Sequence, residues 1–156
     1  MAESSLYDVT NRLVGYLKHR ATPGVRAQLR RALSSGLEFY RLAAELLPPN
    51  WERNADTWRA LVSAIASLDT SLHQPRKPLG VALAVTGFSE FRLNRLLATP
   101  ADLRIAAVQS AARYLAKSSV PFDFSELVRF ALTQDTAKRD ELNLEIATAF
   151  LNHHAK

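Results

Sequence analysis

Residues 54–68 read NADTWRALVSAIASL. Trp58, Leu61, Val62, Ile65 and Leu68 recur at three- and four-residue intervals, the spacing that places side chains on one face of an α-helix. Asn54 stands just ahead of the run, where a short polar side chain can cap the first turn. The pattern repeats outward in both directions. Upstream, Leu6, Val9, Leu13, Tyr16 and Leu17 predict a helix from Ser4 or Ser5 to about Arg20. Thr22-Pro23 then pairs an N-cap with a proline at the first helical position, opening a second helix with Val25, Leu29 and Leu33 inward. Gly36 breaks or bends it before it continues to Leu47, and Pro48-Pro49 ends it.

Downstream, a short apolar helix from Leu79 to Val85 stops at Gly87, and Ser89 caps a helix from Glu90 to Ala98. Thr99-Pro100-Ala101-Asp102 has the form of a capping-box variant opening a long helix to about Lys117. Asp123-Phe124-Ser125-Glu126 is an Asp-x-x-Glu box ahead of a helix to Leu132, and Asp135 caps a last helix through Ile146, Phe150 and Leu151. Ala and Leu occur 24 times each against 12 for Val and Ile together, a balance that favours helices over strands. The expected fold is all-α, with about eight helices in two small helical bundles or, alternatively, one irregular bundle. Residues 1–98 are expected to form an N-terminal helical domain with a basic face and residues 99–156 a C-terminal bundle, joined at Thr99-Pro100. The alternative joint is the stretch Ser71 to Pro78, with Pro75 and Pro78 around Arg76-Lys77, which reads as a long, basic and mobile loop.

Absent residues narrow the chemistry. There is no Cys, which removes disulfides, thiol nucleophiles and Cys-based zinc sites and points to a reducing compartment. Met1 to Ser5 carries an acid and no apolar core, unlike a secretory signal, and no run of 18 apolar residues occurs; a cytoplasmic protein without membrane contact is expected. The five glycines never fall as Gly-x-Gly, so neither a dinucleotide fingerprint nor a P-loop can form. Among the four histidines, His19, His73, His153 and His154, none has metal-ligand spacing. Asp140, Glu141 and Glu145 read as a solvated face pairing with Lys138 and Arg139. No catalytic constellation, metal or cofactor is expected.

Charge is where the sequence departs from neutrality. The net charge is +5, carried by 15 Arg and 5 Lys against 15 acids, and guanidinium is the fork that grips phosphate bidentately. Between Asp8 and Glu38 there is no acid, while Arg12, Lys18, Arg20, Arg26, Arg30 and Arg31 all fall there. A second basic stretch holds Arg92, Arg95, Arg104, Arg113 and Lys117 against Asp102 alone. Arg26 and Arg30, Arg92 and Arg95, and Arg113 and Lys117 stand three or four apart and so share helix faces. Within Phe91 to Leu97, Leu93, Leu96 and Leu97 can face inward while Arg92 and Arg95 face out. The candidate nucleic-acid-binding residues are Arg26, Arg30, Arg31, Arg92, Arg95, Arg113 and Lys117, gripping phosphates without reading bases. The alternative is a helical adaptor that binds only protein, its arginines pairing with acidic helices of partners.

Three stretches carry a family resemblance. Val25-Arg26-Ala27-Gln28-Leu29-Arg30-Arg31-Ala32, Phe88-Ser89-Glu90-Phe91-Arg92-Leu93-Asn94-Arg95-Leu96-Leu97 and Val120-Pro121-Phe122-Asp123-Phe124-Ser125-Glu126-Leu127 resemble segments of the CasB family, the small subunit of the type I-E CRISPR surveillance complex Cascade. The second, a Ser-Glu-x-Arg-Leu-x-Arg-Leu-Leu motif, is the most specific. The likeness runs from about Arg12 to Leu151 and departs at the C-terminus, where Phe150 is followed by Leu151, Asn152, His153 and His154 instead of an aromatic-rich end. The resemblance implies an all-helical, non-enzymatic subunit, two copies of which sit head to tail against the backbone and large subunits. It also implies support of guide RNA and target DNA, stabilisation of the R-loop in antiviral defence, and a part for Arg92 and Arg95 in that support.

Overall fold

The structure, a computed structural model, describes residues 3–31 and 36–155. Among them nine α-helices and no strand are found: α1 (Glu3–His19), α2 (Pro23–Leu29), α3 (Leu37–Leu46), α4 (Ala55–Ala66), α5 (Leu79–Val85), α6 (Glu90–Leu97), α7 (Arg104–Ala116), α8 (Ser125–Leu132) and α9 (Thr136–Ala155). The all-α expectation holds. The ninth helix arises at Gly36, whose φ of 59° and ψ of −144° suit glycine alone, so α2 and α3 are separate. Leu33, expected to point inward, lies outside the described residues.

Helix α4 sits at the centre, with Trp58, Leu61, Val62 and Ile65 all buried as their spacing demands. It packs on α7, α2 and α8, while α1 packs on α8 and α5 lies along α9. One buried cluster runs from Leu6 through Phe39, Trp58, Leu83 and Phe130 to Phe150, so the helices before and after Thr99 share it. Among the described residues no helix is long and apolar enough to cross a membrane.

Local signals are used partly as the sequence suggests and partly otherwise. Thr22 Oγ1 accepts from Val25 N at 3.2 Å, Ser89 Oγ from Arg92 N at 3.1 Å, and Asp135 Oδ1 from Ala137 N at 2.9 Å, all as expected of caps. Asn54 caps nothing; Trp51–Asn54 is a 3-10 turn that runs straight into α4. The Thr99 hydroxyl turns backward and donates to the Arg95 carbonyl at 2.6 Å, closing α6 instead of opening α7. Residues 101–103 form a 3-10 turn, and α7 begins only at Arg104.

The Asp123-x-x-Glu126 box is split between two helices. Asp123 Oδ1 accepts from Ser125 N at 2.9 Å and Ser125 Oγ at 2.7 Å, holding the start of α8. Glu126 instead reaches across the fold, and its Oε2 accepts from Leu79 N at 2.6 Å, the first turn of α5. The stretch expected to be mobile is stitched down by the same region. Gln74 N donates to the Phe122 carbonyl, Phe122 N to Leu72, Asp123 N to Lys77, and Arg76 N to Asp123 Oδ2. His73 completes the seam: Phe124 N donates to its Nδ1 at 3.1 Å, which leaves the proton on Nε2, 2.8 Å from Asn11 Oδ1. Burial lowers the His73 pKa, against the nearby Asp123 charge.

Helix α5 is then pressed onto α9 at Gly80. An added Cβ there would collide with the Ile146 carbonyl oxygen and lie 2.8 Å from Phe150 N and 2.9 Å from Ala149 Cβ. Gly80→Ala gains about 1 kcal/mol of helix propensity but forces two backbones apart, so a net loss of about 2 kcal/mol is expected. Thermal unfolding followed by circular dichroism should fall by roughly 5 °C for a chain of this size. Glu126 gives a second test, because burial pushes its carboxyl up to about 7, outweighing the Leu79 N–H and Arg129, which favour the charged form. The folded state therefore holds this proton above the ordinary carboxylate range. The stability it contributes is present at acid pH and is lost as pH rises through about 7. His73, whose pKa is lowered, slopes the opposite way, so the comparison must isolate Glu126. Glu126→Gln keeps an acceptor for Leu79 N and should gain on the wild type from pH 5 to pH 8, by up to ~3 kcal/mol in urea unfolding.

Candidate nucleic-acid interface

The seven basic candidates fall into three groups in space. The first is the end of α2. Arg26 is half-buried, and its Nη2 donates to Thr70 Oγ1 at 3.1 Å while its Nε is buried without a partner. Arg30 Nε donates at 3.0 Å to the carbonyl of Ala66, the last residue of α4, whose oxygen has no helical partner of its own. Ser63 Oγ returns a bond to the Arg30 carbonyl at 2.6 Å. Arg30 thereby fastens the end of α2 to the end of α4, Arg26 ties α2 to the 3-10 turn at Thr70–Leu72, and Arg30 and Arg31 are exposed.

The second group lies between α4 and α7, with Arg30 reaching in from the end of α2. Arg30 and Arg113 line one groove of about 330 Å³, floored by Ala64, Ala112 and Ala116. Arg113 Nε donates to the carbonyl of Gln109 at 3.4 Å, as Arg30 Nε does to Ala66. Each guanidinium is thus held by its inner nitrogen, and the terminal nitrogens make no hydrogen bond among the described residues. The groove thus presents two guanidinium forks, a group that binds oxyanions bidentately.

The third group surrounds Tyr114. The Arg92 guanidinium lies 4.8 Å from its ring centre and the Lys117 ammonium 5.7 Å, so α6 and the end of α7 bring two cations to one aromatic ring. Phe88 meets the same ring edge-on at 5.2 Å and fixes it. Leu93 and Leu96 are buried, Leu97 is half-buried, and Arg92 and Arg95 are exposed, as the spacing of α6 requires. Arg95 leans over the exposed ring of Phe91 at 5.8 Å.

Among the described residues the ion pairs are Arg20–Glu45, Arg41–Glu38 and Arg59–Asp56, and none includes a candidate. Arg20, in the acid-free stretch of sequence, is therefore neutralised by α3. Arg104, counted in the second basic stretch, is internal: it stacks 4.5 Å from the Phe130 ring and donates to the carbonyls of Phe130 and Thr133. Burial, with Arg139 nearby, lowers its pKa to about 10. Arg139 donates to the Thr99 carbonyl instead of pairing with the α9 acids. Tyr114 and Gln109 were missed by sequence reasoning, since a half-buried tyrosine on a helix reads as core. Its place between Arg113 and Lys117 was the available signal. Among the described residues no group of three or more His, Asp or Glu could hold a metal ion.

The family model for CRISPR-associated protein Cse2 matches residues 25–151. The chain belongs to the CRISPR-associated Cse2 family. A search of curated proteins gives no match. The crystal structure of M. ruber CasB is similar in fold, with a TM-score of 0.65 and 22% identity, covering 92% of this chain and 93% of that one. The CasB resemblance read from the three motifs therefore stands, and Cse2 is a family of structural Cascade subunits.

The three groups differ in what they cost the fold. Arg30→Ala removes the donor on the Ala66 carbonyl and should destabilise by about 1 kcal/mol, whereas Arg92→Ala and Lys117→Ala should leave the urea midpoint within ~0.5 kcal/mol of wild type. Equal losses in the two cases would show that the Tyr114 cluster is structural.

Proposed function

We propose that this Cse2-family Cascade subunit binds nucleic acid without sequence specificity and has no catalytic activity. It supports guide RNA and target DNA and stabilises the R-loop inside a cytoplasmic type I-E assembly. One observation supports this above the others: Arg92 and Lys117 converge on Tyr114, and Arg30 and Arg113 on one groove, with no acid partner among the described residues. Forks and ammonium groups left uncompensated on helix surfaces suit a phosphate backbone, whose binding is driven by counterion release.

Contacts to the backbone and large subunits, and head to tail to a second copy, need apolar surface as well. Leu144 and Leu151 supply some of it: they stand seven apart on one face of α9 and are 68% and 49% exposed. A purely protein-binding adaptor would use this face and leave the cations to acidic partners.

Salt separates the two. Log affinity for nucleic acid should fall linearly with log salt, and Arg92→Ala/Lys117→Ala should flatten the slope by about 0.7–0.9 for each phosphate that is no longer neutralised. Fluorescence anisotropy with labelled oligonucleotides measures both. A slope unchanged by the double substitution would remove these residues from the interface, and no binding by the wild type at low salt would favour the adaptor.

A further inference from the structure

Phe91 is out of place by every rule that governs its helix. In α6 the core positions are filled by Leu93 and Leu96, and the opposite face carries Arg92, Asn94 and Arg95. Phe91 sits on that polar face with 70% of its surface in solvent, the largest exposure among the large hydrophobic residues described. It joins no part of the buried cluster. Its contact is with Arg95, four residues on, whose guanidinium lies 5.8 Å from the ring centre. One helical position away, Arg92 turns to Tyr114 and meets Lys117 there. Glu90 shares the first turn but pairs with none of these cations.

An exposed aromatic ring in the company of three cations is the combination that single-strand-binding surfaces use: charge follows the backbone, and the ring takes the flat face of an unpaired base. A duplex offers no such face, because its bases are stacked on one another. Tyr114 offers less open surface for this part, being half-buried, with Phe88 against it and two cations at its ring. We infer that Phe91 is a base-stacking residue, so that the α6 surface takes single-stranded nucleic acid in preference to duplex. This rests on the nucleic-acid reading above and names the form of nucleic acid that the site prefers.

The test uses the full chain, with anisotropy of labelled 30-mers of dT, of rU and of an abasic deoxyribose-phosphate strand, and of a 30-bp duplex. Phe91→Ala should weaken dT and rU binding about tenfold, with no change in salt slope, since the ring neutralises no phosphate. Its affinity for the abasic strand and the duplex should equal that of the wild type. Phe91→Trp should restore or tighten binding to dT and rU. A larger loss on one of these two strands supports stacking and names the strand that the ring prefers. Because Phe91 is outside the core, circular dichroism should show both variants folded as the wild type is. Wild type that binds dT while Phe91→Ala binds it equally well overturns the stacking role alone and leaves the ring to a protein contact. An equal loss on the abasic strand overturns it too. Wild type that binds none of the four probes refutes the nucleic-acid reading itself.

Discussion

The arrangement depends on one close contact, the backbone of α5 against the backbone of α9 at Gly80. A seven-residue helix of apolar residues has no stability of its own, since nucleation alone outweighs what so few hydrogen bonds return. It exists because both ends are tied and one face is buried. Glu126 supplies an acceptor at its start, and Gly87, at φ 85°, ends it with bonds from Phe88 N to Leu83 and from Gly87 N to Ala84. Between them, the missing side chain at Gly80 lets α9 come within backbone distance. What α5 fixes is passed on. The chain turns at Gly87 directly into the Ser89 cap of α6, and α9 reaches the other end of that helix, with Asn143 donating to the Leu97 carbonyl and Arg139 to Thr99. The helix that carries Phe91, Arg92 and Arg95 is held at both ends by elements that meet at a glycine.

Charge is sorted by the same construction. The acids that enter the interior are taken up by backbone: Asp123 by α8, Glu126 by α5. Glu38, Glu45 and Asp56 are taken up by Arg41, Arg20 and Arg59. The groove between α4 and α7 and the ring of Tyr114 receive cations and no acid in return. A net charge of +5 would be ordinary if evenly spread, but concentrating the unpaired part of it raises the local potential that an anion meets.

Helices and their inward faces were legible because their causes are local. Periodicity marked the buried residues of α1, α4 and α6, and Thr22, Ser89 and Asp135 capped as short polar side chains do before a helix. Partners far along the chain were not legible. Thr99 had two helices within reach and took the one behind it; Glu126 had its own N-terminus within reach and took one 47 residues away. His73, whose surroundings in sequence hold no ligand partner, binds Asn11 on one nitrogen and the start of the α8 segment on the other. The arginines show the same limit. Spacing says which share a face but not what that face meets, so Arg26 and Arg30 look equivalent to Arg92 and Arg95 in sequence, and only the fold shows Thr70 claiming Arg26 and the end of α4 claiming Arg30.

Stability and binding accordingly draw on different forces. The core is apolar contact, helix caps and a backbone approach, none of which salt screens strongly, whereas the exposed cations act through a field that fades beyond about 8 Å at physiological ionic strength. Raising salt should therefore empty the basic surface well before it loosens the helices beneath. Arg30 belongs to both systems: its Nε is bound into the fold while its terminal nitrogens face the groove. A guanidinium anchored in this way has already lost much of its side-chain freedom on folding, so less is lost when a phosphate arrives. That is a reason for arginine at this position that charge alone would not give, since lysine has no second nitrogen to leave free.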